Sequence, residues 1–177
     1  RSTKPKVPVA LPLPPPTASP ETPSNELLIC VLPLSKLYTD DTGHFPVKAR
    51  SGNQYVMIAY HANGNLILQQ AFKTKSDRHR IAAYNAIMTR LAARGLSVDL
   101  QILDNEASSA YKEAITFKWN AKFQLVPLDM HRRNRAERAI RTFKDHFLAI
   151  PAGVDATFPP YLWDLLLLQT DLILNLL

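Results

Sequence analysis

The chain has 177 residues, a net charge of +6 and a single cysteine, Cys30. This length allows one domain of ordinary size plus a tail, with enough chain to bury a core without metal or disulfide staples. One cysteine excludes an intrachain disulfide and a cysteine-rich zinc module, no apolar run is long enough to span a membrane, and the positive excess suits an anionic partner such as nucleic acid.

Nine of the fourteen prolines fall between Pro5 and Pro33. Proline lacks the amide hydrogen and fixes φ, so VPVALPLPPPTASPETPS cannot pair in a sheet or continue a helix. Residues 1–35 are expected to be an extended, proline-rich disordered linker. Basic residues run directly into these prolines, so no secretory leader is expected. The chain starts without methionine and ends on two leucines in a helical pattern, which leads us to expect a piece of a longer polyprotein, truncated at its C-terminus.

The texture changes at Lys36. Lys36 to Asp41 predicts a short strand ending in acid. Gln54 to Tyr60 and Asn65 to Phe72 are rich in β-formers. The Asn63-Gly64 pair between them signals a hairpin turn. A helix follows, with Ser76 as N-cap, apolar residues at Ile81, Tyr84, Ile87 or Met88 and Leu91, and Gly95 beyond its end. Leu96 to Leu103 predicts a strand ending at Asp104. Ala107 to Phe117 predicts a short helix, and Phe123 to Val126 a strand closed by Pro127. Arg132 to Leu148 predicts a basic helix broken by Pro151 and Gly153. Pro159 and Pro160 open a last helix, whose apolar run is interrupted by Asp164, Gln169, Thr170, Asp171 and Asn175.

Three antiparallel strands followed by helix–strand alternation exclude a plain doubly wound domain. The order matches an α/β RNase H-like fold, a mixed five-stranded sheet flanked by helices, over residues 36–177.

Three acids stand out by position. Asp40 or Asp41 closes the first strand, Asp104 closes the fourth, and Glu137 lies on the basic helix. If the first and fourth strands are neighbours, their aspartates point to one place and a packed helix can add the glutamate. Hard divalent cations take such oxygen ligands. Two ions ~3.5–4 Å apart can clamp the attacking and leaving oxygens of a phosphoryl transfer. Asp40 and Asp41 fall on opposite faces of a strand, so only one of them can serve. Each acid also has a plainer explanation: aspartate caps turns at strand ends, and Glu137 has Arg133 and Arg141 one helical turn away for surface ion pairs. The helix itself carries Arg132, Arg133, Arg135, Arg138, Arg141 and Lys144 against Glu137 and Asp145, a cationic surface able to neutralise phosphates. A second basic stretch, KTKSDRHR, opens the first long helix.

Family likeness enters on these motifs. Tyr38 to Asp41 reads Y-x-D-D, as in reverse transcriptases, but a polymerase needs a further metal-binding aspartate and fingers upstream, where this chain has only its proline-rich tail. Asp40 followed by Gly43 resembles the first catalytic strand of retroelement integrases. DNE at Asp104–Glu106 and HRRNRAERAIRTFK from His131 to Lys144 resemble their second and third acidic motifs, nearest to copia-type retrotransposons. Asn134, Glu137 and Arg138 resemble the pattern N-G-x-x-E-R with one residue fewer between Asn and Glu, and YLWDLLL from Tyr161 is similar to the aromatic-led helix that follows it. The separations, 63 residues between Asp40 and Asp104 and 32 between Asp104 and Glu137, are close to those usual in the family.

The resemblance covers roughly Lys36 to Leu177. It implies an integrase catalytic core in a retrotransposon polyprotein, performing DNA 3′-end processing and strand transfer. Asp40, Asp104 and Glu137 would be catalytic metal ligands for two Mg²⁺ or Mn²⁺ ions. It further implies element-end and target DNA as partners, a homo-oligomer, and an intracellular setting in the nucleus or a virus-like particle. Two motifs depart from the pattern: the second lacks its Gly-Gly, and in the third Arg135 stands where the family usually has glycine. These departures keep open a catalytically decayed fragment that acts only as a nucleic-acid-binding scaffold. An RNase H-type nuclease is the rival among enzymes.

Overall fold

The computed structural model describes residues 34–103, 107–126 and 135–176. The proline-rich linker expected before Lys36 lies almost wholly outside them, as do Asp104, Arg132 and Arg133.

Strand β1 (Lys36–Asp41) is followed by β2 (Tyr55–His61) and β3 (Leu66–Phe72), then helix α1 (Asp77–Ala92), β4 (Leu100–Leu103), α2 (Ser109–Glu113), β5 (Lys122–Leu125), α3 (Arg135–Gly153) and α4 (Leu167–Leu176). The five strands form one sheet in the order β3-β2-β1-β4-β5. The pairs β1–β2 and β2–β3 are antiparallel, whereas β1–β4 and β4–β5 are parallel. β1 is therefore the centre of a mixed sheet, with β4 at its side.

Both faces of the sheet are covered, so β2 is buried almost throughout rather than alternating. On one face, Leu37, Met57, Ala59 and Leu68 pack with Tyr84, Ile87 and Leu91 of α1 and with Tyr111 of α2. On the other, Val56 and Ile58 pack with Phe143 and Phe147 of α3 and with Trp163 and Leu167 beside and within α4. Phe45 stacks on Trp163 there, with ring centroids 4.2 Å apart. Trp163 donates its indole N–H to Val47 O (2.8 Å).

Several expected elements take a different local form. The turn after β2 spans four residues, and the positive φ belongs to Asn65 (45°), not to Gly64. Gly64 is needed for space: a Cβ there would stand 2.9 Å from the His61 Nδ1 that accepts the Gly64 N–H. Ser76 is the N-cap of α1, but its side chain caps no backbone amide. Instead its hydroxyl and that of Thr74 meet His79 Nδ1 at 3.1 and 2.8 Å. Gly95 adopts φ +72° and turns the chain so that Leu96 N bonds back to Leu91 O.

β4 begins at Leu100 rather than Leu96, because the preceding residues are engaged elsewhere. Ser97 O accepts from Ser35 Oγ (2.6 Å), and Asp99 Oδ2 accepts Ser35 N–H (2.8 Å). These bonds tether the entry of β1. After α2 the chain passes through a π-helical turn, Ala114–Lys118. α3 does not stop before Pro151. It runs through it to Gly153, since a proline in the last turn forfeits one helical bond only. Pro159 and Pro160 open a 3₁₀ turn, Pro160–Leu166, that leads into α4.

α4 is fastened to β3 by polar groups. Asn175 Oδ1 accepts Ile67 N–H (2.9 Å), and its Nδ2 donates to Ile67 O (2.8 Å). Arg90 of α1 pairs with Asp171 and donates to Gln69 O (2.9 Å). No helix among the described residues is long and apolar enough to cross a membrane.

Candidate active site

The carboxyl end of β1 carries the two aspartates, and the pleat separates them. Leu37, Thr39 and Asp41 point to the α1 side, while Tyr38 and Asp40 point to the side covered by α3. Asp41 is half-buried, with Arg80 Nε of α1 2.8 Å from its Oδ2. Burial pushes its carboxyl above the usual range, and the charges of Arg80 and Lys75 oppose that rise. Asp40 is exposed, and its Oδ1 accepts the backbone N–H of Asp41 at 2.7 Å.

A cavity of about 90 Å³ opens at this strand end, lined by both aspartates with Thr39, Lys75, Arg80 and Tyr111. Tyr111 is buried against Tyr84, with ring centroids 5.3 Å apart. Burial drives both phenols up, so they stay neutral at any ordinary pH.

β4 lies beside β1 in parallel register, Tyr38 opposite Ile102. Two residues further along the sequence from that pair come Asp40, within β1, and Asp104, the residue that follows β4 in the chain. Asp104 is outside the described residues, so its carboxylate has no stated place. Glu137 is in the first turn of α3 and is exposed. α3 packs against β1 and β2, the sheet face that bears Asp40. No ion pair joins Glu137 to Arg141 among the described residues. Arg133, its other expected partner, lies outside them. The described residues contain no group of three or more His, Cys, Asp or Glu able to hold a metal ion; two of the three expected ligands are among them.

The cations divide in the same way. Arg132 and Arg133 lie outside the described residues, and of Arg135 only the backbone is described, as the first residue of α3. Arg138, Arg141 and Lys144 are exposed, whereas Ala139, Phe143 and Phe147 of the same helix are buried. The helix thus turns an aromatic stripe to the sheet and a cationic face, with Glu137 and Asp145, to solvent.

Sequence reasoning did not find the part played by Arg80 and Lys75. Their signal was present in KTKSDRHR, a basic stretch expected either to contact DNA or merely to solubilise that end of the helix, but Arg80 meets an aspartate 39 residues away. A second polar pair, Ser35 Oγ and His61 Nε2 at 2.8 Å, resembles a nucleophile and its base. It cannot act as one. Nδ1 already accepts Gly64 N–H, so Nε2 carries the proton, and the ring is a buried donor to Ser35 Oγ and Ser97 O.

No family model matches the chain, and no curated protein matches it in sequence. Solved structures do match it in shape. The catalytic core domain of BIV integrase superposes with a TM-score of 0.57 at 13% identity, covering 77% of this chain and 80% of that one. A chain of the simian T-cell lymphotropic virus intasome, solved in complex with PP2A regulatory subunit B56 gamma, gives a TM-score of 0.62 at 16% identity. That match covers 80% of this chain, which spans about half (48%) of the neighbour. With the mixed sheet in the order β3-β2-β1-β4-β5 and helices on both faces, these likenesses show an integrase-like RNase H fold.

Proposed function

We propose that the chain is the catalytic core of a DNA integrase, a polynucleotidyl transferase of copia-type retrotransposon ancestry encoded within a polyprotein. One observation carries this reading. Asp40 stands exposed at the carboxyl end of the central strand, on the sheet face that α3 covers, and Glu137 lies in the first turn of α3. Asp104 follows the last residue of the neighbouring β4 in the chain. Asp41 is the poorer candidate for first ligand, because Arg80 already engages its carboxylate.

The donor set fits hard divalent cations: Asp40 and Glu137 offer solvent-accessible carboxylate oxygens, the chemistry that Mg²⁺ and Mn²⁺ prefer. Asp40, Asp104 and Glu137 would hold two such ions. When bound, they would supply charge stabilisation at the phosphoryl oxygens during in-line displacement by water or a DNA 3′-OH. Arg138, Arg141 and Lys144, with Arg132, Arg133 and Arg135 nearby in sequence, would hold DNA by its phosphates and without base readout. The intasome neighbour is a viral assembly, which supports DNA and further copies of this chain as partners. Copia-type elements act in the nucleus or virus-like particles, the setting we propose here.

A strand-transfer assay on labelled oligonucleotides tests this reading. Joined product should require Mg²⁺ or Mn²⁺ and vanish in Asp40→Asn and Glu137→Gln. Cleavage of only the RNA strand of a hybrid would instead identify an RNase H-type nuclease. A folded protein that binds DNA and yields neither product would be a scaffold, which the missing Gly-Gly after Asp104 favours. A Mn²⁺-soaked crystal gives the geometric check: carboxylates of Asp40, Asp104 and Glu137 more than about 8 Å apart could not serve two ions ~4 Å apart.

A further inference from the structure

We infer that Asp41 and Arg80 are positioning residues for the carboxylate of Asp40. This inference rests on the metal-ligand role proposed for Asp40 above. Asp40 is the next-to-last residue of β1 and is exposed. One of its oxygens is held by the Asp41 N–H at 2.7 Å. That N–H can orient a carboxylate only if the Asp41 backbone is itself fixed. It is fixed from both sides.

Towards β2, Asp41 is registered opposite Met57, and the next residue, Thr42, exchanges bonds with Val56: Thr42 N donates to Val56 O (2.8 Å), and Val56 N donates to Thr42 Oγ1 (3.0 Å). Towards α1, the Asp41 side chain is clamped by Arg80 Nε at 2.8 Å. Arg80 is on the first turn of α1, whose Tyr84 and Ile87 are wholly buried, so the guanidinium hangs from a rigid support. The chain of contacts runs from the packed helix through Arg80 and Asp41 to the oxygen of Asp40. The same small cavity is lined by all three residues.

The test measures Mn²⁺ binding to the full chain by the loss of the free-ion electron paramagnetic resonance signal, with thermal unfolding followed in parallel. Arg80→Gln and Asp41→Asn should each weaken Mn²⁺ binding by about 10-fold, the usual scale for residues that orient a ligand. The double variant should be no weaker than either single one, because the two act as one unit. Arg80→Lys, which restores charge without the fixed fork, should recover part of the loss. Wild-type affinity in folded Arg80→Gln and Asp41→Asn, alongside lost affinity in Asp40→Asn, would overturn the positioning role and leave Asp40 as a ligand. Equal affinity in wild type and Asp40→Asn would overturn both readings. If Arg80→Gln fails to fold, Asp41→Asn, which keeps the backbone N–H and adds no bulk, carries the same comparison.

Discussion

The two faces of the sheet are built differently, and the catalytic proposal depends on the difference. The α1 face is a close-packed aliphatic layer with two buried tyrosines, and it ends at β1 in a committed ion pair, Asp41 with Arg80. The α3 face is an aromatic stack of Phe45, Phe143, Phe147 and Trp163, and it ends at β1 in an exposed carboxylate, Asp40. Adjacent residues on one strand therefore have opposite duties. Asp41 ties the strand end to α1, and Asp40 is the exposed carboxylate to which the proposal assigns chemistry. Strand alternation makes such a division possible without any insertion in the backbone.

The largest expected effect tests what holds the aromatic face. Phe143 is 1% exposed and stacks on Phe147 at 5.4 Å. Phe143→Ala should cost about 3–5 kcal/mol, read from urea unfolding. A cost below about 1 kcal/mol would show that this face is not a packed core. Next, Asp40→Asn should reduce Mg²⁺-dependent strand transfer by at least about 100-fold, more than the loss usual for an orienting partner, while the unfolding midpoint barely moves. If stability falls instead, Asp40 belongs with Asp41 as a structural residue.

Arg80→Gln should destabilise the chain by about 1–2 kcal/mol, between the values for exposed and fully buried pairs, because both side chains retain some solvent contact. The smallest effect concerns pH. Asp41 and Asp171 both have carboxyls raised by burial, each with an arginine opposing the rise. A raised acid binds its proton more tightly in the folded state. The stability it contributes is therefore full below the unfolded value of 3.8 and is lost as pH rises through the folded value. The urea midpoint should fall over that window, and Asp41→Asn should flatten the fall. A midpoint that rises there, with the rise abolished in Asp41→Asn, would reverse the assigned direction.

The succession of strands and helices along the chain was legible because it depends on local alternation and on turn residues that act over a few positions, whereas the adjacency of β1 and β4 is a long-range pairing. The hairpin after β2 and the end of α1 followed from Asn63-Gly64 and Gly95, although at the hairpin the strained backbone is at Asn65. Less legible was anything set by distant partners. Residues 96–99 have the composition of a strand, but their bonds to Ser35 keep them out of β4. Pro151 looks like a stop, yet its position in the last turn lets α3 continue. In the candidate site, Asp40 could be read as lying at a strand end and Glu137 on a helix, while Asp104 lies outside the described residues. Asp40 was preferred over Asp41 there because Gly43 follows it, but the ion pair of Asp41 with Arg80 could not be read, because it depends on where Arg80 arrives from α1.

One amide at the sheet edge has a wider consequence. Asn175 offers Ile67 both an acceptor and a donor, the same two bonds that a neighbouring strand would make. At that point β3 already has a surrogate partner, and an incoming strand would have to displace a side chain anchored in α4. The sheet is thereby protected against lengthening through β3, which steers any copy-to-copy association at this edge towards side-chain packing and away from backbone pairing.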